Sequence, residues 1–150
     1  MSSGDEHIDT AKTYLDVREV GKNRGKQVDI FNKNVGNPLG SDWCGAFVAY
    51  CLDAVNSEFK VRSGLARHYY TKAEKTYSAG EVLRGKRQVE FGDMVIWARG
   101  KTIFGHVAFA LNWEGKRGTT IEGNTDKGVA VKNRVIYPYS YFRIIGFAEV

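Results

Sequence analysis

The sequence predicts an α+β fold, because helical and strand patterns occupy different parts of the chain. Apolar residues recur at three- and four-residue spacing near the start of the chain, as in a helix that buries one face. From about residue 89 the pattern changes to short apolar runs separated by turns such as Gly92-Asp93 and Gly123-Asn124. We therefore expect N-terminal helices packed on a mostly antiparallel sheet.

Two helices are predicted before residue 36. The first covers residues 7–20, where Ile8, Ala11 and Leu15 share a face and Gly21 ends the helix. The second and shorter helix covers residues 28–35 and ends before the Gly36-Asn37-Pro38 turn. A further helix over residues 65–77 is plausible but ambiguous, because apolar and basic residues are mixed there.

The next predicted helix runs over residues 43–55 and has a broad apolar face. Ser41 or Asp42 can cap its N-terminus, since both have short side chains that accept hydrogen bonds from helix N–H groups. Cys44 would then lie in the first turn of this helix.

Five β-type runs follow in the second half of the chain. They cover residues 94–97, 106–111, 119–122, 129–131 and 144–147. The loops between several of them have hairpin length and contain glycine, which favours antiparallel neighbours.

A single domain over residues 1–150 is expected, because a chain of this length can bury a core without disulfides or structural metal. Residues 1–9 are expected to form a flexible lead-in. Neither a signal peptide nor a membrane-spanning run of about 20 apolar residues is found, so a soluble protein made in the cytoplasm is expected. The net charge of +5 fits either an anionic polymer partner or a solubilising surface.

Two cysteines are available for chemistry. If their segment is helical, their Cα atoms are about 10 Å apart, which is too far for a disulfide. Both Cys44 and Cys51 are therefore predicted to be free thiols. The helix N-terminus favours the thiolate of Cys44, and the small residues Gly45 and Ala46 leave its sulfur approachable. Cys51 lies among apolar residues and is predicted to be a core residue.

His106 is the histidine best placed to act as a base, because it opens a β-type run directly after Gly105. In a strand it would share a face with Ala108 and Ala110, and this small-residue face is predicted to line a cleft. A hydrogen-bonded histidine at a sheet edge is the alternative interpretation.

Glu122 and Asn124 are candidates for a third member of the site. They are two residues apart and project to the same face if the strand continues that far. Either side chain can accept a hydrogen bond from an imidazole and fix its tautomer. A strand end followed by a turn explains the same residues without any function.

Four ordered motifs resemble the CHAP family of cysteine, histidine-dependent amidohydrolases and peptidases, which is related to the NlpC/P60 group. They are Asp-Trp-Cys-Gly-Ala-Phe-Val from residue 42, Gly-Asp-Met-Val from residue 92, Gly-His-Val-Ala from residue 105 and Ile-Glu-Gly-Asn-Thr from residue 121. The resemblance covers about residues 10–150. It implies a papain-like fold with the catalytic cysteine at a helix start, and peptidoglycan as the substrate.

The resemblance also implies roles for individual residues. Cys44 is expected to be the nucleophile, His106 the general base and acid, and Glu122 the residue that orients the imidazole. Asn124 is an alternative to Glu122 or a fourth member. No metal and no cofactor are expected.

Substrate contacts are expected from Trp43 and Asp42, which directly precede the cysteine. Some relatives have a glutamine where this chain has Trp43, so the backbone N–H of Cys44 is the default oxyanion donor. Neither the acidic calcium loop of some phage members nor a separate wall-binding module is expected in this protein.

Peptidoglycan is the expected partner, with neither nucleic acid nor membrane. An immunity protein or a delivery apparatus is a further expected partner, and a monomer is expected. Action is expected at the bacterial cell wall after lysis, phage delivery or dedicated secretion.

Alternative functions remain open at this point. The bond cut can be a stem-peptide or cross-bridge amide or the N-acetylmuramoyl-L-alanine amide. The same Cys-His chemistry can also transfer the acyl group to another acceptor, as an acyltransferase or transamidase does. A non-enzymatic basic binding module is the third possibility, although the Lys and Arg residues form no dense cluster.

Overall fold

Helices dominate the first part of the chain and strands the second, in a computed structural model that describes residues 5–150. The helices are α1 (Glu6–Thr13), α2 (Lys26–Asn34), α3 (Cys44–Ala54), α4 (His68–Thr71) and α5 (Ala79–Leu83). The strands are β1 (Thr76–Ser78), β2 (Met94–Arg99), β3 (Gly105–Glu114), β4 (Arg117–Thr125), β5 (Gly128–Val135) and β6 (Phe142–Ala148). The predicted α+β class is confirmed.

The six described strands form one sheet in the order β1-β6-β2-β3-β4-β5. Each pair of neighbours is antiparallel. Helices beside an antiparallel sheet fit a papain-like fold. Each of the five β-type runs predicted from the sequence lies within one of these strands.

Two apolar cores lie on opposite faces of the sheet. The first joins helices α1 to α3 to one face through residues such as Ile8, Phe47 and Phe109. The second lies on the other face and includes Trp97 and Phe147. Strands β2 and β3 are therefore buried on both sides, which explains their nearly continuous apolar runs.

The end of the sheet nearest the start of α3 positions the candidate site. The β3–β4 pairing begins at Phe109 and Ile121, so the first residues of β3 and the last residues of β4 lie beyond it. Gly123 lies in this part of β4, and a Cβ there would come within 2.8 Å of Phe47 and 2.9 Å of Trp43. Glycine at this position lets the first turn of α3 pack directly on the strand.

The first helix is shorter than predicted. It ends at Thr13, and Tyr14 and Leu15 make shorter-range backbone bonds to Ala11 and Lys12. The carbonyl of Val17 then accepts a hydrogen bond from the Val129 N–H (3.2 Å), a contact with β5 that helical periodicity cannot reveal.

The expected flexible lead-in is wrong for residues 6–9, while residues 1–4 lie outside the described part of the chain. These residues open α1, and Ile8 is fully buried. The buried His7 ring bonds through Nε2 to the Gly92 carbonyl (2.7 Å). This contact and the core packing of Ile8 hold the start of α1.

The segment after α3 also differs from the prediction. Only α4 is helical within residues 65–77, and β1 begins before residue 77. The helix α5 was not predicted, although it carries a full capping box: Ser78 accepts from the Glu81 N–H, and Glu81 accepts from the Ser78 N–H. None of the helices described between residues 5 and 150 is long and apolar enough to cross a membrane.

Candidate active site

The segment before α3 holds Cys44 in a fixed position. The Trp43 indole Nε1 donates a hydrogen bond to Glu19 (2.8 Å), and Asn23 Nδ2 donates to the Gly40 carbonyl (3.1 Å). Asn23 has a positive φ of 55°, which asparagine adopts more readily than most residues. Cys44 follows as the first residue of α3, and its side chain is almost completely buried.

The N-cap of α3 is Trp43, and no side chain caps the helix. The predicted capping by Ser41 or Asp42 is therefore wrong. The first helical hydrogen bond runs from the Phe47 N–H to the Trp43 carbonyl (2.9 Å), so the N–H groups of residues 44–46 have no partner in the helix. These groups give the first turn its partial positive charge.

Trp43 is a core residue, which contradicts the expectation that it contacts a substrate. Its side chain is fully buried, and its indole stacks on Phe31 with ring centroids 5.8 Å apart. A ligand cannot reach the buried indole. Asp42 is exposed and accepts a hydrogen bond from Asn23 Nδ2 (3.3 Å), so its contact with substrate stays a prediction.

His106 and Glu122 face each other where β3 and β4 extend beyond their paired region. His106 Nε2 lies 2.8 Å from Glu122 Oε1, and both side chains are buried. An ionised carboxylate only accepts hydrogen bonds, so Nε2 is the protonated nitrogen. The Nδ1 atom is left for Cys44.

Glu122 is fully buried and has two further partners. Arg134 on β5 donates from Nε to Oε2 (2.7 Å) and from Nη2 to Oε1 (2.6 Å), and the Thr120 hydroxyl donates to Oε2. Burial alone would raise the pKa of Glu122, but the hydrogen bonds from Arg134 and His106 lower it to about 2. The carboxylate is therefore ionised across the neutral range.

Cys44 and His106 shift each other's pKa in opposite directions. Burial alone would raise the pKa of Cys44, but the charge of His106 and hydrogen bonds from its ring and from the Val107 backbone lower it. Burial alone would lower the pKa of His106, but the Cys44 thiolate and Glu122 raise it to about 9. Both shifts favour a thiolate–imidazolium pair.

The family model described as CHAP domain matches residues 35–124, which is more than half of the chain. The chain belongs to the CHAP family. CHAP domains are in general peptidoglycan hydrolases of the cysteine- and histidine-dependent amidohydrolase type. No curated protein and no solved structure gives a significant match to the chain.

The part of this CHAP domain that matches the family model includes Cys44, His106, Glu122 and Asn124. Arg134 lies beyond it, and sequence reasoning missed both Arg134 and Thr120. Thr120 lies two residues before Glu122, and this spacing was a usable signal. Arg134 had none, because its approach to Glu122 depends on how β5 pairs with β4.

Asn124 lies at an irregularity of the β4–β5 ladder and has a positive φ of 60°. It lines a surface pocket together with His106, Glu122 and Arg134. Its side chain makes no hydrogen bond within residues 5–150. The structure thus brings Asn124 to the site but puts Glu122 alone on the imidazole.

Cys51 lies two turns along α3 and is fully buried. Burial raises the pKa of its thiol. Both cysteines are free, as predicted. His68 is on α4, where its Nδ1 bonds the Ser63 hydroxyl (2.8 Å), and it takes no part in this site.

The small-residue face of β3 does not line a cleft, contrary to the prediction. Ala108 and Ala110 are fully buried in the second core, which also contains Trp97 of β2 and Phe147 of β6. The alternation placed the side chains correctly, but it could not show that large residues of other strands cover this face. No cluster of three or more His, Cys, Asp or Glu suited to a metal occurs in the described residues.

Proposed function

We propose that this CHAP domain hydrolyses an amide bond of peptidoglycan by covalent catalysis at Cys44. The substrate class comes from the family, and the roles of the residues come from their positions. The bond is a stem-peptide or cross-bridge amide, or the amide between N-acetylmuramic acid and L-alanine.

In the first half-reaction the Cys44 thiolate adds to the amide carbonyl carbon. The N–H groups at the start of α3, including that of Cys44, are free to stabilise the oxyanion that forms. His106 then gives the proton on Nδ1 to the departing amine nitrogen as the C–N bond breaks. A thioester on Cys44 and a free amine result.

In the second half-reaction water attacks the thioester carbonyl, and His106 takes a proton from that water. Collapse of the intermediate breaks the C–S bond and releases a carboxylic acid. The Cys44 thiolate and the His106 imidazolium are restored. Glu122 holds Nε2 throughout, so Nδ1 keeps facing the sulfur.

One observation carries the proposal: His106, held by a buried 2.8 Å hydrogen bond to Glu122, lowers the pKa of Cys44, the residue that opens α3. A merely structural cysteine needs neither a histidine nor unpartnered N–H groups beside it. At the other buried thiol, Cys51, burial raises the pKa, and no histidine lowers it.

The test uses purified peptidoglycan and measures the release of new amino groups, with mass spectrometry of the soluble muropeptides. The wild-type protein is expected to release amino groups, and Cys44→Ala is expected to release none above background. The masses then show which amide was cut. If folded wild-type protein leaves muropeptides of several cross-link types unchanged, the proposed function is wrong.

The fate of the acyl group in the same digestion, run without an added amine, separates hydrolysis from acyl transfer. A hydrolase gives mainly the free acid. Products joined to a second amine of the substrate would instead identify a transamidase and contradict the hydrolysis step.

A further inference from the structure

Arg134 donates two hydrogen bonds to Glu122, the carboxylate that accepts a hydrogen bond from His106. Its Nε and Nη2 atoms donate to the two oxygens of Glu122, at 2.7 and 2.6 Å. One of these oxygens, Oε1, also accepts the hydrogen bond from His106 Nε2. The guanidinium and the imidazole therefore share one acceptor atom on a fully buried carboxylate.

Two aromatic rings fix the Arg134 guanidinium in this position. Its Cζ lies 5.0 Å from the centroid of the Trp97 ring and 5.6 Å from that of Phe142. The same two rings contact His106, at centroid distances of 5.1 and 6.0 Å. Arg134 and His106 are thus held by one aromatic pair, with Glu122 between them.

A planar guanidinium does two things for a buried carboxylate. The paired hydrogen bonds fix the plane of the carboxylate, and so the direction from which Oε1 meets His106. The positive charge also keeps Glu122 ionised where burial alone would favour the protonated acid. Without it, Glu122 would have the hydrogen bonds of His106 and Thr120 alone.

We propose that Arg134 is a positioning residue of the site, which orients Glu122 and keeps it ionised so that His106 presents Nδ1 to Cys44. This inference rests on the proposed function for its activity readout only. The other charged side chains that line the same pocket are Arg99, Asp126 and Lys132. None of them has a hydrogen bond or an ion pair with Glu122.

The test compares Arg134→Gln and Arg134→Lys with the wild type by two readouts as a function of pH. The first is kcat and KM for amino-group release from peptidoglycan, and the second is the alkylation rate of Cys44 by iodoacetamide. For Arg134→Gln we expect kcat to fall on the order of 10- to 100-fold with little change in KM. The acid limb of both profiles should move to higher pH, because a less ionised Glu122 stabilises the His106 imidazolium less, and the Cys44 thiolate then forms only at a higher pH.

Arg134→Lys keeps a positive charge but loses the paired guanidinium hydrogen bonds. Its kcat and the pH of its acid limb are expected to lie between those of the wild type and of Arg134→Gln. The matched control is Arg24→Gln, because Arg24 makes the same two-pronged contact with Asp29 on an exposed surface (2.9 and 3.0 Å). It should leave both profiles unchanged.

The inference is overturned if the Arg134→Gln profiles superimpose on those of the wild type and Arg24→Gln, or if Arg134→Lys shifts them further than Arg134→Gln. A loss of folded protein alone scales the rates without moving the limbs. If the wild type alkylates as expected but never cleaves peptidoglycan, the proposed function fails while the alkylation profiles still test Arg134.

Discussion

Cys44 and Cys51 lie on the same helix, two turns apart, and both are buried free thiols. Burial raises the pKa of Cys51, whereas the pKa of Cys44 is lowered in spite of burial. The difference comes from their neighbours. Cys44 has the charge and hydrogen bond of His106 and a bond from the Val107 backbone, while desolvation is the sole cause acting on Cys51.

The two thiols differ in the direction of their pKa shift although both are buried, so burial by itself does not decide the pKa of a cysteine. A helix start at the open end of a sheet lets strands bring an imidazole and its carboxylate partner to the sulfur. The middle of the same helix, around Cys51, packs into the apolar core. Substitutions at either cysteine, or at the residues around Cys44, test how this difference in surroundings affects activity and stability.

Removal of each sulfur in turn should give the largest difference in activity between the two positions. Cys44→Ala is expected to lower kcat/KM for amino-group release on the order of 1,000-fold or more, since no nucleophile remains. Cys51→Ala should retain the wild-type rate per folded molecule. Rates are measured on purified peptidoglycan, with circular dichroism to confirm folding. The opposite pattern would exchange the roles of the two cysteines.

Loss of the histidine should make Cys44 resemble Cys51. In His106→Asn the charge that lowers the Cys44 pKa is gone, so burial should raise that pKa and slow alkylation near neutral pH. Activity should fall by about 10²- to 10⁴-fold, the usual share of a general acid–base group. His68→Asn is the matched control. An alkylation profile that His106→Asn does not move would contradict the thiolate–imidazolium pair.

The wild-type pH profile follows from the same pair. The active form appears as Cys44 loses its proton and disappears as His106 loses its own. The Cys44 pKa is lowered and the His106 pKa is raised to about 9. We therefore expect kcat/KM to rise at a pH below the ordinary pKa of a thiol and to fall only at alkaline pH. Initial rates across the pH range check this. An acid limb at the pKa of an ordinary thiol would be inconsistent with it.

The choice of third residue is the next test. Glu122→Gln keeps the shape but removes the charge, and activity should fall on the order of 100-fold or more. Asn124→Gly removes the side chain while tolerating the positive φ, and it should cost less than about tenfold. Steady-state rates of both variants decide between them. A larger loss for Asn124→Gly would make Asn124 the orienting residue.

Serine in place of Cys44 or Cys51 should give the smallest difference between the two positions, and this difference is one of stability. Cys51→Ser puts a hydroxyl among apolar side chains and should lower the free energy of unfolding by about 1–3 kcal/mol. Cys44→Ser should lower it by less, because His106 can bond the hydroxyl. Urea unfolding measures both values. Equal losses would show that the surroundings of the two thiols differ less than their pKa values indicate.

Much of the fold could be predicted from the sequence because apolar periodicity reports which side is buried. The five apolar runs of the second half all lie in strands. Periodicity failed where tertiary contacts decide: α1 stops early because Val17 bonds Val129 on β5. The capping box of Ser78 and Glu81 was visible in the sequence and marked a helix start that the apolar pattern did not.

The candidate site was predictable only in part. Cys44, His106 and Glu122 come from segments whose type could be inferred, and their meeting required the order of the strands. Arg134 pairs across the ladder with Gly118, yet its side chain reaches Glu122, which no sequence spacing encodes. Trp43 was misjudged because its burial depends on Phe31 and Glu19, distant in sequence.

Alkylation of the native wild-type protein with limiting iodoacetamide at about pH 6, where an ordinary thiol reacts slowly, tests directly whether Cys44 is the nucleophilic thiol. Peptide mapping then locates the label, and peptidoglycan hydrolysis is measured on the same samples. We predict that the label appears on Cys44 and that activity falls in proportion to its occupancy. Label on Cys51, or full activity with Cys44 completely alkylated, would show that Cys44 is not the nucleophile.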